Sequence, residues 1–113
     1  MNDEIPRWYC TLRERHEAWV RAVEHLGEAT RAAGPLDEKT AHLLQLVAAA
    51  AVHSEGAVHS HVRRALACGA DADEIRHALI LATGLVGFAS ISAALRWAED
   101  VLEPRQDYHL VAE

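Results

Sequence analysis

Apolar residues recur through this chain at the spacing of an α-helix, and no segment shows the convincing alternation of a β-strand. Alanine supplies much of the apolar content. A β-sandwich would need β-branched and aromatic residues, and aromatic residues make up only 5% of the chain. Thin alanine-rich helices can instead pack closely together. The sequence therefore predicts an all-α fold, a small bundle of about five helices, in a single domain that covers residues 1–113.

Glycine, proline and capping residues mark the ends of the predicted helices. The first helix ends at Gly34 and Pro35, because glycine suits the position after a helix and proline cannot continue one. Asp37 is a natural cap for the second helix, and Asp71 with Glu74 resembles a capping box. The predicted helices cover about residues 7–33, 37–53, 54–69, 71–84 and 88–103. We expect residues 1–33 to form an N-terminal arm.

Charge and hydropathy exclude several classes of partner. The chain has 11 basic and 17 acidic residues, a net charge of −6, which argues against nucleic acid or an anionic membrane surface. Its longest apolar run, Leu46 to Val52, has seven residues, whereas a membrane span needs roughly 20. The acidic start has no apolar run behind it, so we expect no secretory signal. Cys10 and Cys68 are isolated, as is typical of reduced thiols in a cytoplasmic protein.

Three histidines lie between Val52 and Val62, the stretch in which the second predicted helix ends and the third begins. His61 shares its helix face with Val58 and Val62, so it is either a core histidine bonded to a backbone carbonyl or a general acid/base. Glu55 lies in the first turn of the third predicted helix, where the helix dipole stabilises a negatively charged carboxylate. That carboxylate is either a capping residue or a catalytic group, and the residues themselves leave both alternatives open.

No metal or cofactor site is predicted. The chain lacks the pair of histidines four residues apart that zinc helices use. His42 and His53 are eleven residues apart, which is roughly 16 Å along a helix and too far for one ion. Nucleophile-elbow and phosphate-loop motifs are absent from the sequence as well.

An ordered series of segments resembles the carboxymuconolactone decarboxylase family, which also contains the alkyl hydroperoxidase D enzymes. The segments are residues 33–40, Ser54-Glu55-Gly56 and residues 61–75, with a match continuing to Glu99. The resemblance covers about residues 33–103, which we take as the family core. It implies an alkyl hydroperoxidase D-like helical fold and a homo-oligomer, a trimer or hexamer, with sites near the subunit boundaries. Trp8, Trp19 and Trp97 are candidate interface anchors.

The peroxidase branch of the family uses two cysteines, a histidine and a glutamate. The resemblance places Ser54 and Ala57 at the cysteine positions, His61 at the histidine position and His42 at the glutamate position. Both redox sulfurs are therefore replaced, and a disulfide-cycling peroxidase requires them. Cys68 lies about four helical turns beyond Ser54 and is not an obvious replacement.

The decarboxylase branch has a Glu-Gly pair followed, after four residues, by a histidine. Glu55-Gly56 and His61 have this spacing. The resemblance therefore implies decarboxylase or other lyase-type chemistry without a cofactor, acting on a small carboxylated molecule. His61 would be the general acid/base and Glu55 its partner. The secondary pocket candidates are His42, His53, Ser54 and Arg64.

Two other functions stay open at this point. The chain could be a catalytically silent oligomeric scaffold, because a fold can persist when its chemistry is lost. It could also have an alkyl hydroperoxidase-like, peroxiredoxin-type antioxidant activity, although the missing sulfurs argue against it. Acid/base chemistry on a carboxylated substrate is the function that the resemblance favours.

Overall fold

The computed structural model describes residues 6–104, which form seven α-helices and no strand. The prediction of an all-α fold is thus confirmed. The chain divides between Leu36 and Asp37 into two compact units. The first unit contains α1 (Arg7–Arg15) and α2 (Glu17–Ala32); the second contains α3 (Glu38–Ala51), α4 (Glu55–Ala67), α5 (Ala72–Leu81), α6 (Thr83–Val86) and α7 (Phe88–Leu102).

The N-terminal unit is a pair of helices, where the sequence predicts one. The chain leaves the helical conformation at His16, with φ −136° and ψ 56°. Glu24 of α2 accepts hydrogen bonds from the Tyr9 hydroxyl and from the Arg13 guanidinium, the latter at 2.8 Å. In one straight helix Tyr9 and Glu24 would be about 22 Å apart. Their contact therefore requires the break at His16, which residue spacing alone does not reveal.

The helix starts of the second unit lie where the sequence predicts them. Asp37 accepts a hydrogen bond from the backbone N–H of Thr40, and Asp71 forms a complete capping box with Glu74. Each of these side chains satisfies a backbone donor that the first helical turn leaves without a partner. The single turn α6 is the element of this unit that the sequence does not predict.

The core of the second unit lies between α3, α4, α5 and α7. Its largest fully buried side chains are Leu46, Val58, Val62, Ile75, Leu79 and Ile91. Alanines from the same helices fill the space between them, as expected for closely packed thin helices. The core fixes α3 against α4, and these two helices carry the histidines of interest.

The cysteines and tryptophans differ in their surroundings. Both cysteines are free thiols. Trp8 and Trp19 are 66% and 58% exposed, whereas Trp97 packs against the core of the second unit. Within residues 6–104 the structure contains no helix with both the length and the apolar character that crossing a membrane requires. Residues 1–5 and 105–113 lie outside the part of the chain that the structure describes.

Candidate functional site

Two consecutive helices, α3 and α4, supply the site. They are joined by residues 52–54, and Ser54 caps α4 by accepting a hydrogen bond from the backbone N–H of Ala57 at 3.2 Å. His53 has φ 60°, a left-handed conformation that is uncommon outside glycine and reverses the chain in this short link. The first turns of α3 consequently lie beside the end of α4.

A pair of histidines lies between the two helices. Nδ1 of His42 is 3.3 Å from Nδ1 of His61, and the ring centroids are 5.4 Å apart. His42 is 3% exposed, whereas His61 is half-buried. When both rings are neutral, one Nδ1 donates its hydrogen and the other accepts it. The contact therefore links the tautomer of the buried ring to that of the more accessible ring.

A carboxylate extends this pair on the side of α3. Glu38 lies one turn before His42, and its Oε1 is 3.7 Å from Nε2 of His42. Glu38 is 67% exposed, so its charge is in contact with water while it faces a buried ring. Carboxylate, buried imidazole and half-buried imidazole form a continuous series. Such a series provides a path along which a proton can move between the two rings.

Cys68 lies at the same end of the site. It caps the C-terminus of α4, and its Sγ is 4.0 Å from Oε1 of Glu38. The thiol, the carboxylate and a ring nitrogen of His42 all lie within 4.8 Å of one another. Cys68 is at the opposite end of α4 from Ser54, so it does not occupy either family cysteine position. The sequence does not predict that its thiol lies beside a histidine of the site.

The structure does not bring Glu55 to His61, the partner expected from the sequence. Glu55 lies 4.0 Å from Nε2 of His59, and the same nitrogen is 3.0 Å from Oδ2 of Asp100 in α7. Residues four apart share a helix face, whereas residues six apart differ by about 240° around the helix. Glu55 therefore belongs to a separate, more exposed group.

The other predicted pocket residues have different positions. His53 is exposed in the link after α3, and the hydroxyl of Ser54 caps α4. Arg64 is exposed in the last turn of α4, three residues after His61. Residues at this spacing are neighbours on a helix surface, so Arg64 shares a face of α4 with His61.

Four residues of these two groups were not predicted: Glu38, His59, Cys68 and Asp100. A signal for two of them is present in the sequence, because Glu38 precedes His42 by four residues and Glu55 precedes His59 by four. Glutamate and histidine at this spacing meet on one face of a helix. Cys68 and Asp100 come from distant parts of the chain, and only the packing of the helices brings them to the histidines.

Lys39 and Glu74 form an ion pair that fastens the start of α3 to α5. Their Nζ and Oε2 atoms are 3.0 Å apart. The hydrogen bond and charge of Glu74 raise the pKa of Lys39. The backbone N–H of Asp71, and then Lys39, lower the pKa of Glu74. Both groups are therefore charged at neutral pH.

Comparison with known proteins assigns the chain to a family. The model of the carboxymuconolactone decarboxylase family matches residues 17–100. The chain belongs to this family. The matched range begins before residue 33, where the sequence resemblance starts, and includes α2. Searches of curated proteins and of solved structures gave no significant match.

Proposed function

We propose that this member of the carboxymuconolactone decarboxylase family catalyses an acid/base reaction, the decarboxylation of a small carboxylated lactone, with His61 as the proton donor. The observation that carries the proposal is the contact between His61 and the buried His42. The family resemblance places these residues at the histidine and glutamate positions of the peroxidase branch. Their contact supports a retained site in which proton transfer replaces thiol chemistry.

The reaction requires a proton donor at one stage. When the bond between the lactone carbon and the carboxylate breaks, carbon dioxide leaves. The electron pair of that bond remains on the lactone, which becomes a dienolate. His61 donates a proton from Nε2 to the electron-rich carbon, and a proton from solvent then restores the imidazole. A positioned histidine is suited to this step because its ordinary pKa is near neutrality.

His42 and Glu38 position the donor. In the protonated pair, Nδ1–H of His61 donates to Nδ1 of His42, whose Nε2–H faces the carboxylate of Glu38. This arrangement leaves Nε2 of His61 as the proton-donating atom.

Substrate binding requires a cation, because the substrate is a carboxylate. Arg64 is the candidate, since it is exposed and is a neighbour of His61 on α4. Arginine can hold a carboxylate with two parallel hydrogen bonds. We place Arg64 at the edge of the site as the group that orients the substrate. We also propose that the protein is a cytoplasmic homo-oligomer.

The test is carbon dioxide release from a panel of small carboxylated lactones, measured in the presence of a metal chelator. His61→Gln should lower kcat by about 100-fold or more, the contribution of a general acid. Arg64→Gln should mainly raise KM. Asp100→Asn, which changes the other histidine group, is the matched control and should retain activity.

Other results would support the alternative functions. Absence of turnover, together with absence of a ligand-induced thermal shift, would favour the silent scaffold. Peroxide consumption that disappears in Cys68→Ser but not in Cys10→Ser would favour antioxidant chemistry at the thiol beside His42. Either result would contradict the decarboxylase proposal.

A further inference from the structure

We infer that Glu38, His42 and Cys68 form a binding site for a zinc-class divalent metal ion. Three different donor atoms converge here: a carboxylate oxygen, an imidazole nitrogen and a sulfur, all within 4.8 Å of one another. Zinc binds all three donor types, and its catalytic sites use three protein ligands with one open position. The inference goes beyond the proposed decarboxylation, which does not require the ion.

The distances suit a tetrahedral ion. With ordinary zinc bond lengths, nitrogen and oxygen ligands are about 3.3 Å apart, and sulfur and oxygen ligands about 3.6 Å apart. The structure has 3.7 Å between Nε2 of His42 and Oε1 of Glu38, and 4.0 Å between Sγ of Cys68 and the same oxygen. The nitrogen of His42 and Sγ of Cys68 lie within 4.8 Å of each other. Glu38 is 67% exposed, so its carboxylate can approach the ion, and the thiol must approach the imidazole as the ion binds.

His61 supplies the outer support that a metal-binding histidine needs. Nδ1 of His42 faces Nδ1 of His61, so Nε2 is the nitrogen directed toward Glu38. A ligating histidine usually donates its other N–H to an acceptor, which fixes the tautomer and ring orientation. In the metal-bound form His42 donates Nδ1–H to His61. That hydrogen bond leaves the proton of a neutral His61 on Nε2.

The second group of possible ligands, Glu55, His59 and Asp100, has a simpler explanation. Its carboxylate side chains are 57% and 50% exposed, and His59 contacts Asp100 directly at 3.0 Å. Surface ion pairs account for these contacts. The group around His42 differs because it contains a thiol and an imidazole that is 3% exposed. Sulfur also gives a spectroscopic signature that the second group cannot produce.

The test is a titration of the full chain with Co²⁺ after chelator treatment, under reducing conditions. Binding at this site should produce a near-ultraviolet thiolate-to-cobalt absorption with one ion per chain. Cys68→Ala should abolish this absorption, and Cys10→Ala should leave it unchanged. Glu38→Gln changes an exposed side chain and should weaken binding without unfolding the protein. Removal of the outer histidine in His61→Gln should weaken it by about 10- to 100-fold.

Zinc affinity, measured by competition with a chromophoric chelator, provides the second readout. Zinc should displace cobalt and raise the thermal unfolding temperature of the unmodified chain, but raise it less in Cys68→Ala. The inference is overturned if the sulfur absorption does not appear, persists in Cys68→Ala, or is lost in Cys10→Ala. Because the decarboxylation assay contains a chelator, a failure of metal binding is distinguishable from a failure of the proposed reaction.

Discussion

The hydrogen bond between His42 and His61 can be measured as a coupling energy. His42→Leu and His61→Leu each remove one ring and deprive the other ring of the partner that lies 3.3 Å away. The loss of a hydrogen-bond partner at a buried or half-buried nitrogen costs about 1–3 kcal/mol. The double variant removes donor and acceptor together. Its destabilisation should therefore be smaller than the sum of the two single effects by about 1 kcal/mol.

Urea denaturation of the four proteins at pH 8, at one protein concentration, measures this coupling. For a small protein, 1 kcal/mol corresponds to about 0.3–1 M in the midpoint. His25→Leu is the control, because the His25 side chain is 82% exposed, and it should change stability by no more than about 0.5 kcal/mol. If the two leucine substitutions add to within about 0.3 kcal/mol, the rings do not share a hydrogen bond and the reasoning fails.

Three further perturbations test the fold around the site. Asp71→Ala should cost about 1 kcal/mol in urea denaturation because it removes the capping box of α5; a loss below about 0.3 kcal/mol would contradict this role. Leu46→Ala should cost about 2–5 kcal/mol since Leu46 is 0% exposed, whereas Leu85→Ala, at a 96% exposed side chain, should be nearly neutral; equal losses would be inconsistent with the described core. Hydrogen bonds from Arg76 lower the pKa of Glu99 in the folded protein. The contribution of Glu99 to stability is therefore complete above the ordinary glutamate pKa, and it is lost as the pH falls through the lower pKa that Glu99 has in the folded protein. A comparison of the chain with Glu99→Gln from pH 7 to pH 3 should show the stability difference shrinking, and a constant difference would refute this.

Local signals were sufficient for much of the fold. Asp37, Ser54 and Asp71 cap helices through contacts within three residues, so the sequence alone indicates where α3, α4 and α5 begin. The break at His16 depends on a contact between Tyr9 and Glu24, which are far apart along the chain. Helical periodicity continues across that point and gives no sign of a break.

In the site, too, contacts between residues close in sequence are predictable, whereas contacts between distant residues are not. The family resemblance brought His42 and His61 together as site positions, and the structure places their rings in contact. The resemblance implies that Glu55 is the partner of His61, and in the structure Glu55 lies beside His59, four residues further along α4. Cys68 meets Glu38 only because α3 and α4 pack side by side, and no pattern in the sequence encodes that approach.

The most direct test of the histidine pair is a long-range ¹H–¹⁵N NMR spectrum of the chain with ¹⁵N-labelled histidine at pH 8. At that pH two neutral rings joined through Nδ1 atoms must differ: one Nδ1 carries a hydrogen and the other accepts it. We predict that one ring carries its hydrogen on Nδ1 and the other on Nε2. In His61→Gln the signals of one ring should disappear and those of the remaining His42 ring should shift. Two rings that both carry hydrogen on Nε2 and lack it on Nδ1 would contradict the shared proton on which the proposed chemistry depends.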